Sequence, residues 1–197
     1  MSDKKLVILI VVIYAAVVAL VCGLFFSHSD IDGENEKEKE FKAGTFTAGV
    51  YDSEFGDMSV DASADGWRAD TDRSSNDDSS IKDLDVYNSA LGAEILVHYY
   101  KCSEYGVTSI ADYYDLVESQ DSDAQMDYGT ITSGKLGSNK FSCLPIKVTT
   151  DSDIYYDYDY ARIDHGWVIE IDILSHNKKG HSTCVKMIGP YIDSDEA

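Results

Sequence analysis

The sequence predicts an α+β domain with a mainly antiparallel sheet and two segregated helices, preceded by an N-terminal transmembrane helix. Residues 6–26 form an uninterrupted apolar run. Several later segments alternate apolar and polar residues with the period of β-strands. Residues 110–118 and 185–192 show the apolar spacing of short amphipathic helices. A chain of 197 residues has room for one domain of ordinary size beyond such an anchor.

The apolar run at residues 6–26 contains 21 residues and no charge. As a helix it would be about 31 Å long, close to the thickness of the hydrocarbon core of a bilayer. Lys4 and Lys5 precede the run, whereas acidic residues follow it. The positive-inside rule therefore places residues 1–5 in the cytoplasm and everything after the run outside it.

Two other fates of this run stay open. Ser27-His28-Ser29 offers a small-x-small cleavage site, so the run could be a removed signal peptide, although the apolar core of such peptides is usually shorter. The second alternative is a lipoprotein anchored through Cys22. It is disfavoured because Val21 is large for the position before the lipidated cysteine.

Residues 27–45 hold a dense run of charges and predict a solvated linker with no face to bury. From residue 27 onward there are 14 basic and 35 acidic side chains, a net charge of about −21. This charge excludes nucleic acid as a partner, because phosphate binding needs a cationic face. It also predicts a monomer that would bind a neutral or cationic protein or glycan.

Residues 46–193 form the predicted extracytoplasmic domain. The alternation at residues 46–51 predicts a first strand, and residues 58–60 predict a second. Residues 68–83 are rich in Asp and Ser, which predicts a long loop. Residues 91–100 are apolar on both faces and therefore predict a central strand.

Ser109 is a predicted N-cap for the helix at residues 110–118. Two strands follow, at residues 130–136 and 140–148, with a turn signal between them. Pro145 lies in the second of these strands. Since proline donates no backbone hydrogen bond, we expect an unpaired edge or a bulge there.

The clearest strand pattern in the chain covers residues 154–163, which pair with residues 167–174 in a predicted hairpin. Three tyrosines at alternate positions share one face of the first strand. Asp157 and Asp159 share the other face. Two like charges on one face predict that this face is solvated.

The closing segment predicts a loop at residues 177–180 and a short helix at residues 185–192, capped by Ser182-Thr183 and distorted by Pro190. In that helix Val185, Ile188 and Ile192 are expected to face inward. Residues 194–197 form a short C-terminal tail.

The order of elements resembles the PsbP-like α/β/α sandwich over roughly residues 46–192. The resemblance rests on the early strand pair ending near Trp67, the apolar strand at residues 94–100, the helix after it, the strand meander and the closing helix. Family members often carry a proline before the early tryptophan, where this chain has Gly66. The resemblance implies a binding or assembly role and supplies no catalytic residue.

Cysteine and histidine patterns predict no catalytic, cofactor or metal site. Cys102, Cys143 and Cys184 follow the apolar run, with no CxxC or Cys-His pair at metal-ligand spacing. A Cys102–Cys143 disulfide and three separate, partly buried thiols both stay open. Three histidines near the C-terminal end of the domain are expected to be exposed in loops: His165, His176 and His181.

These patterns predict one main function and leave one alternative open. The first is a membrane-anchored, extracytoplasmic binding or scaffolding domain of the bacterial envelope, with exposed tyrosines for recognition. Each of the pairs Tyr99-Tyr100, Tyr113-Tyr114 and Tyr155-Tyr156 would place one ring outward. The alternative is a cell-envelope hydrolase with an Asp/Glu carboxylate pair. A cleft with two converging carboxylates would favour the hydrolase, and a sheet face with exposed tyrosines would favour the binding domain.

Overall fold

The computed structural model describes residues 38–70, 75–77, 79–119 and 124–191. The predicted transmembrane helix at residues 6–26 lies outside the described residues, as do most of the linker and the C-terminal tail. In the described ranges, no helix has the combination of length and apolar character that a bilayer crossing demands.

Four short strands form a small antiparallel sheet in the order β1-β2-β3-β13. They are β1 Thr45–Thr47, β2 Val50–Ser53, β3 Met58–Asp61 and β13 Ile188–Gly189. The single strand predicted at residues 46–51 is instead a hairpin. Ala48 and Gly49 have φ of 52° and 87° and turn the chain in two residues.

Nine strands form a large sheet in which every pair is antiparallel. They are β4 Arg68–Ala69, β5 Ser75–Asp77, β6 Ser80–Asn88, β7 Ala93–Lys101, β8 Gln125–Tyr128, β9 Thr132–Leu136, β10 Asn139–Thr149, β11 Ile154–Asp164 and β12 Trp167–Ser175. The order is β4-β6-β7-β12-β11-β10-β8, with β5 also on β6 and β9 also on β10. The predicted central strand corresponds to β7, which lies between β6 and β12.

The predicted loop at residues 68–83 contains the strands β4 and β5 and the first part of β6, so that prediction was wrong over these residues. A register shift between Lys82 and Leu84 places Asp83 in a bulge against β7. The extra residue breaks the alternation of apolar and polar positions, so the sequence pattern does not reveal the strand. The Asp83 carboxylate is buried and accepts hydrogen bonds from the Gly44 amide at 2.7 Å and the Tyr51 hydroxyl at 2.6 Å.

The described residues contain three helices: α1 Cys102–Tyr105, α2 Ile110–Glu118 and α3 Lys178–Met187. The predicted helix at residues 110–118 is confirmed, and its Ser109 cap accepts a hydrogen bond from the Asp112 amide at 3.2 Å. The predicted helix at residues 185–192 was wrong at both ends. α3 begins earlier, because the side chain of Asn177 caps it by accepting from the Gly180 amide at 2.9 Å, and it ends before Ile188, which belongs to β13, while Ile192 lies outside the described residues. Gly180 is a close-packing residue rather than a turn residue, since a Cβ there would lie 2.5 Å from the Ser175 hydroxyl.

The large sheet is covered on both faces. Its first face, defined by Tyr99 and Ile171, packs on the small sheet and α3. Its second face, defined by Tyr100 and Val168, packs on α1 and α2. The helices α2 and α3 therefore lie on opposite faces, as a PsbP-like α/β/α sandwich requires, with the small sheet added beside α3.

Residues 38–44 pack on the domain, so the domain extends before the expected boundary at Phe46. The backbone oxygen of Lys39 accepts a hydrogen bond from the Trp167 indole nitrogen at 3.0 Å, and Glu38 pairs with Lys101 at 2.7 Å. Phe41 is partly buried among aromatic rings. Polar contacts and one hydrophobic side chain thus hold this segment on the domain.

The predicted hairpin of β11 and β12 is confirmed, with His165 and Gly166 as its two turn residues. The expected break at Pro145 is also present. β10 pairs with β9 up to Cys143 and with β8 from Ile146 onward, so Pro145 lies between the two partners.

Candidate functional site: a buried acidic cluster and an aromatic strip

The second face of the large sheet carries a cluster of ionisable side chains at its centre. Neighbouring strands place them side by side, because Glu170 of β12 is opposite His98 of β7, and Asp172 of β12 is opposite Asp159 of β11. We call the following eight residues the acidic cluster: Lys82, Asp85, Glu94, His98, Asp157, Asp159, Glu170 and Asp172. Six carboxyl groups thus share this space with one lysine and one histidine.

Glu170 lies at the centre of the cluster and is 1% exposed. Its Oε2 atom accepts a hydrogen bond from the Tyr100 hydroxyl at 3.0 Å and lies 3.0 Å from His98 Nδ1. Its Oε1 atom accepts a hydrogen bond from the Tyr113 hydroxyl of α2. Two tyrosines from different elements therefore fix the orientation of this carboxylate.

His98 contacts two carboxylates through one ring nitrogen. Its Nδ1 atom lies 3.0 Å from Glu170 and 3.4 Å from Asp172. Burial lowers the pKa of His98, but hydrogen bonds and charge attraction to Asp172 and Glu170 outweigh it and raise the pKa to about 10. The imidazole is therefore held as a cation between the two acids.

Four other carboxyls of the cluster, those of Glu94, Asp157, Asp159 and Asp172, are hard to ionise. Burial, and then the charge of Glu170, raises the pKa of Asp172 to about 7. Burial and the neighbouring acids raise the pKa values of Asp157 and Asp159 well above their usual range. Burial and Asp85 raise the pKa of Glu94 to about 8. The cluster as a whole resists carrying its full negative charge.

The prediction that Asp157 and Asp159 lie on a solvated face was wrong. Asp159 is 1% exposed, and neither of its carboxylate oxygens has a hydrogen-bond partner among the described residues. The physical reason is that α2 covers this face and packs its side chains beside the acids. One of them is Tyr114, whose hydroxyl lies within hydrogen-bond distance of the backbone oxygens of Ser142 and Asp159.

Sequence reasoning missed His98, Glu170 and Asp172 as a group. The available signal was the presence of isolated charges in otherwise apolar strands: His98 within residues 93–101, and Glu170 and Asp172 within residues 167–175. Charges in strands that are apolar on both faces must be buried. What the sequence does not give is the register, which brings these three side chains together from two strands.

One histidine and two carboxylates of the cluster could hold a metal ion. A ligand atom of each of His98, Glu170 and Asp172 lies within 4.8 Å of the other two. These residues come from β7 and β12, and Asp159 of β11 is their neighbour on the same face. The chemistry available to this group is cation binding, since it offers anionic oxygens and one imidazole nitrogen.

A second feature lies on the first face, along β11. Ile154, Tyr156 and Tyr158 occupy alternate positions of this strand and form what we call the aromatic strip. Ile154 is 48% exposed and Tyr156 is 40% exposed, whereas Tyr158 is half-buried. The ring of His181 from α3 stacks on Tyr158 with centroids 3.9 Å apart. The strip is therefore a rigid, partly apolar surface.

Two of the three tyrosine pairs do not place one ring outward, as was predicted for all three. Tyr99 and Tyr100 are both buried, because β7 has a hydrophobic core on each face. The two tyrosines of α2, Tyr113 and Tyr114, are also both buried. The third pair follows the prediction, with Tyr156 directed toward solvent.

The three cysteines of the domain are free thiols, and the disulfide between Cys102 and Cys143 is absent. Cys102 lies in α1 and packs on the second face, while Cys143 belongs to the core of the first face, so the sheet separates them. Cys184 of α3 is fully buried. Burial raises the pKa values of Cys102 and Cys143 to about 11 and that of Cys184 to about 12, which keeps all three protonated.

Two of the three predicted loop histidines are exposed, namely His165 and His176. His181 is half-buried instead. Its Nε2 atom lies 3.1 Å from the Tyr160 hydroxyl, and burial lowers the pKa of its imidazole. It is a packing residue of the aromatic strip.

The described fold is similar to the solution structure of cyanobacterial PsbP (CyanoP) from Synechocystis sp. PCC 6803. The two share 12% sequence identity with a TM-score of 0.46, over 77% of this chain and 98% of that one. No family model and no curated protein matches the sequence. This similarity concerns the fold alone.

Proposed function

We propose that this protein is a membrane-anchored binding domain displayed outside the cytoplasm in the bacterial envelope, and that the aromatic strip contacts a protein partner. The observation that carries the proposal is the exposed apolar face of Ile154 and Tyr156 on a rigid central strand. A contiguous exposed apolar patch on a folded surface marks a contact site, whereas single exposed apolar residues do not, and here the exposed side chains are neighbours on one strand face.

A protein suits the strip better than a glycan. Tyrosine rings can stack on sugars, but the aliphatic side chain of Ile154 supplies no stacking face and favours an apolar protein surface. The charge of the domain sets the character of that partner. With 14 basic and 35 acidic side chains from residue 27 onward, the domain repels anionic surfaces and attracts neutral or cationic ones.

The anchor rests on residues 6–26, whose length and lack of charge suit a bilayer span. Lys4 and Lys5 favour the orientation with the domain outside. The segment between the apolar run and the first described residue, Glu38, is 11 residues long, so the domain would sit close to the membrane surface.

The hydrolase alternative receives less support from the acidic cluster. Its carboxylates converge, but Glu170 and Asp159 are each 1% exposed and lie beneath α2. A glycosidase needs two carboxyl groups that flank a sugar ring inside an open cleft. Carboxylates hydrogen-bonded to tyrosines in a core do not meet that condition.

The contact surface is tested by cross-linking the full chain in its own membranes and quantifying the captured proteins by mass spectrometry. The double variant Ile154→Ser/Tyr156→Ser should lose at least tenfold of a specific partner. The control Ile131→Ser removes a residue that is 44% exposed on the β8–β9 connection and should retain it. Equal losses in both variants, or a captured component that survives proteolysis and is a glycan, would contradict a protein contact at the strip.

The anchor and its orientation are tested separately by protease accessibility in intact cells. The wild-type domain should be digested from outside, and Lys4→Glu/Lys5→Glu should reduce that digestion. Recovery of the domain in the medium, beginning after Ser29, would show instead that the apolar run is cleaved. Full accessibility of the charge variant would refute the orientation argument.

A further inference from the structure

The centre of the acidic cluster has the make-up of a metal site. His98 of β7, Glu170 and Asp172 of β12, and Asp159 of β11 project from three adjacent strands onto the same face. Three of these four side chains have ligand atoms within 4.8 Å of one another. Antiparallel pairing in a sheet buried on both faces holds all four in place.

The observed separations suit a shared cation. His98 Nδ1 lies 3.0 Å from an oxygen of Glu170 and 3.4 Å from an oxygen of Asp172. Ligand atoms around a tetrahedral zinc ion with bonds of about 2.0–2.1 Å are roughly 3.3 Å apart. Release of the His98 Nδ1 proton to solvent, together with small movements of these side chains, would therefore let one ion take the place of that proton between them.

Asp159 supplies an independent observation that points to a ligand. Both of its carboxylate oxygens are buried and lack a hydrogen-bond partner among the described residues. It is the direct cross-strand neighbour of Asp172, and its ionisation is opposed by Glu170 and Asp172. A buried carboxylate without a partner is costly, and a cation beside it would remove that cost.

The groups that hydrogen-bond to Glu170 would form the outer coordination shell of an ion bound to this carboxylate. The hydroxyls of Tyr100 and Tyr113 donate to this carboxylate from β7 and α2. Hydrogen bonds of this kind orient metal-ligating carboxylates and strengthen binding. The side chains of His98 and Asp172 are 11% and 12% exposed, which leaves an approach for an ion from solvent.

We propose that His98, Glu170 and Asp172 form a binding site for a divalent transition-metal ion, Zn²⁺ foremost, with Asp159 as the neighbouring acid. The imidazole disfavours Mg²⁺ and Ca²⁺, which take oxygen ligands. Three protein ligands leave one position of a tetrahedral zinc ion for a water molecule. The ion would neutralise acids of the cluster and join β7 to β12, which is a structural role independent of the partner contact at the aromatic strip.

The test uses the full chain in detergent, stripped with EDTA and then titrated with ZnCl₂ by calorimetry. One equivalent of Zn²⁺ should bind and raise the unfolding temperature. Asp172→Asn should weaken the affinity at least tenfold, as should His98→Gln if the first variant fails to fold. MgCl₂ and CaCl₂ should give no binding at the same concentrations.

The matched control is His176→Gln, which removes an exposed histidine that pairs with Asp153 at 3.5 Å. This variant should bind Zn²⁺ as the wild type does. Binding that is lost in His176→Gln and retained in Asp172→Asn would overturn the proposal, as would the absence of any binding.

A spectroscopic measurement needs no variant. X-ray absorption at the zinc edge of the loaded full chain should show nitrogen and oxygen ligands without sulfur, and Co²⁺ in the same site should give the intense visible absorption of four-coordinate cobalt. Sulfur in the first shell would instead indicate binding at a cysteine, and the weak absorption of a six-coordinate ion would indicate a loose surface site.

Discussion

Phe41 provides a direct test of how the chain enters the domain. Its ring lies 5.1 Å from the rings of Phe55 and Tyr99 and 5.8 Å from that of Trp167, measured between centroids. The substitution Phe41→Ala removes these contacts and leaves a gap at the edge of the first core. Residues 38–44 would then be held mainly by polar contacts such as that of Glu38 with Lys101.

The expected magnitude follows from the burial of Phe41. Truncation of a fully buried phenylalanine to alanine costs about 3–5 kcal/mol, and each aromatic pair contributes roughly 0.5–1.5 kcal/mol within that total. Because Phe41 is only partly buried, we expect a loss of about 2 kcal/mol in the free energy of unfolding. In a domain of this size that loss corresponds to about 4–8 °C in Tm.

The assay is urea unfolding of the full chain, followed by tryptophan fluorescence and by far-ultraviolet circular dichroism. Lys42→Ala is the matched control. Its side chain is 71% exposed and its partner Glu54 is 52% exposed, so the urea midpoint should stay close to that of the wild type. If Phe41→Ala were no more destabilising than Lys42→Ala, the docking of residues 38–44 would contribute nothing, and the reasoning would fail.

Three further results are expected. Ser109→Ala removes the side-chain cap of α2 and should cost about 1 kcal/mol in the free energy of unfolding, measured by urea denaturation. Burial and Asp85 raise the pKa of Glu94 from 4.5 to about 8, so the folded protein retains a proton that the unfolded chain releases. Stability from this group is therefore present at low pH and lost as the pH rises toward 8, and Glu94→Gln should flatten that decline in urea midpoints between pH 5 and pH 9. Cys143 and Cys184 are buried and should resist alkylation in the folded chain but react after denaturation, as mass spectrometry would show; rapid labelling of either would contradict their burial.

Much of the fold could be predicted from the sequence because its pattern is local. The hairpin of β11 and β12 followed from alternation on both sides of His165-Gly166, and α2 followed from its cap and apolar spacing. The strand β6 could not be predicted in the same way. Its bulge at Asp83 shifts the alternation by one residue, and only the contacts of that carboxylate with Gly44 and Tyr51 explain why the extra residue is tolerated.

The acidic cluster was harder to predict because it depends on register and on cover. Alternating acids in β11 are equally consistent with a solvated face and with a buried one. The sequence does not show that α2 covers the face that bears Asp159, or that Glu170 and His98 are opposite each other on neighbouring strands. Cross-strand pairs are set by tertiary structure, so residues distant in the chain must be placed before their chemistry becomes apparent.

If residues 6–26 span a membrane as proposed, the position of Glu38 sets the orientation of the domain relative to that membrane. The chain arrives beside Lys101 and Trp167, where β7 ends and β12 begins. Tyr156 lies opposite Ser175, at the other end of β12 and eight residues away, which is about 27 Å along an extended strand. An anchored molecule would thus hold Glu38 near the lipid and place the exposed side chains of the aromatic strip at the end of the domain that is farther from the membrane.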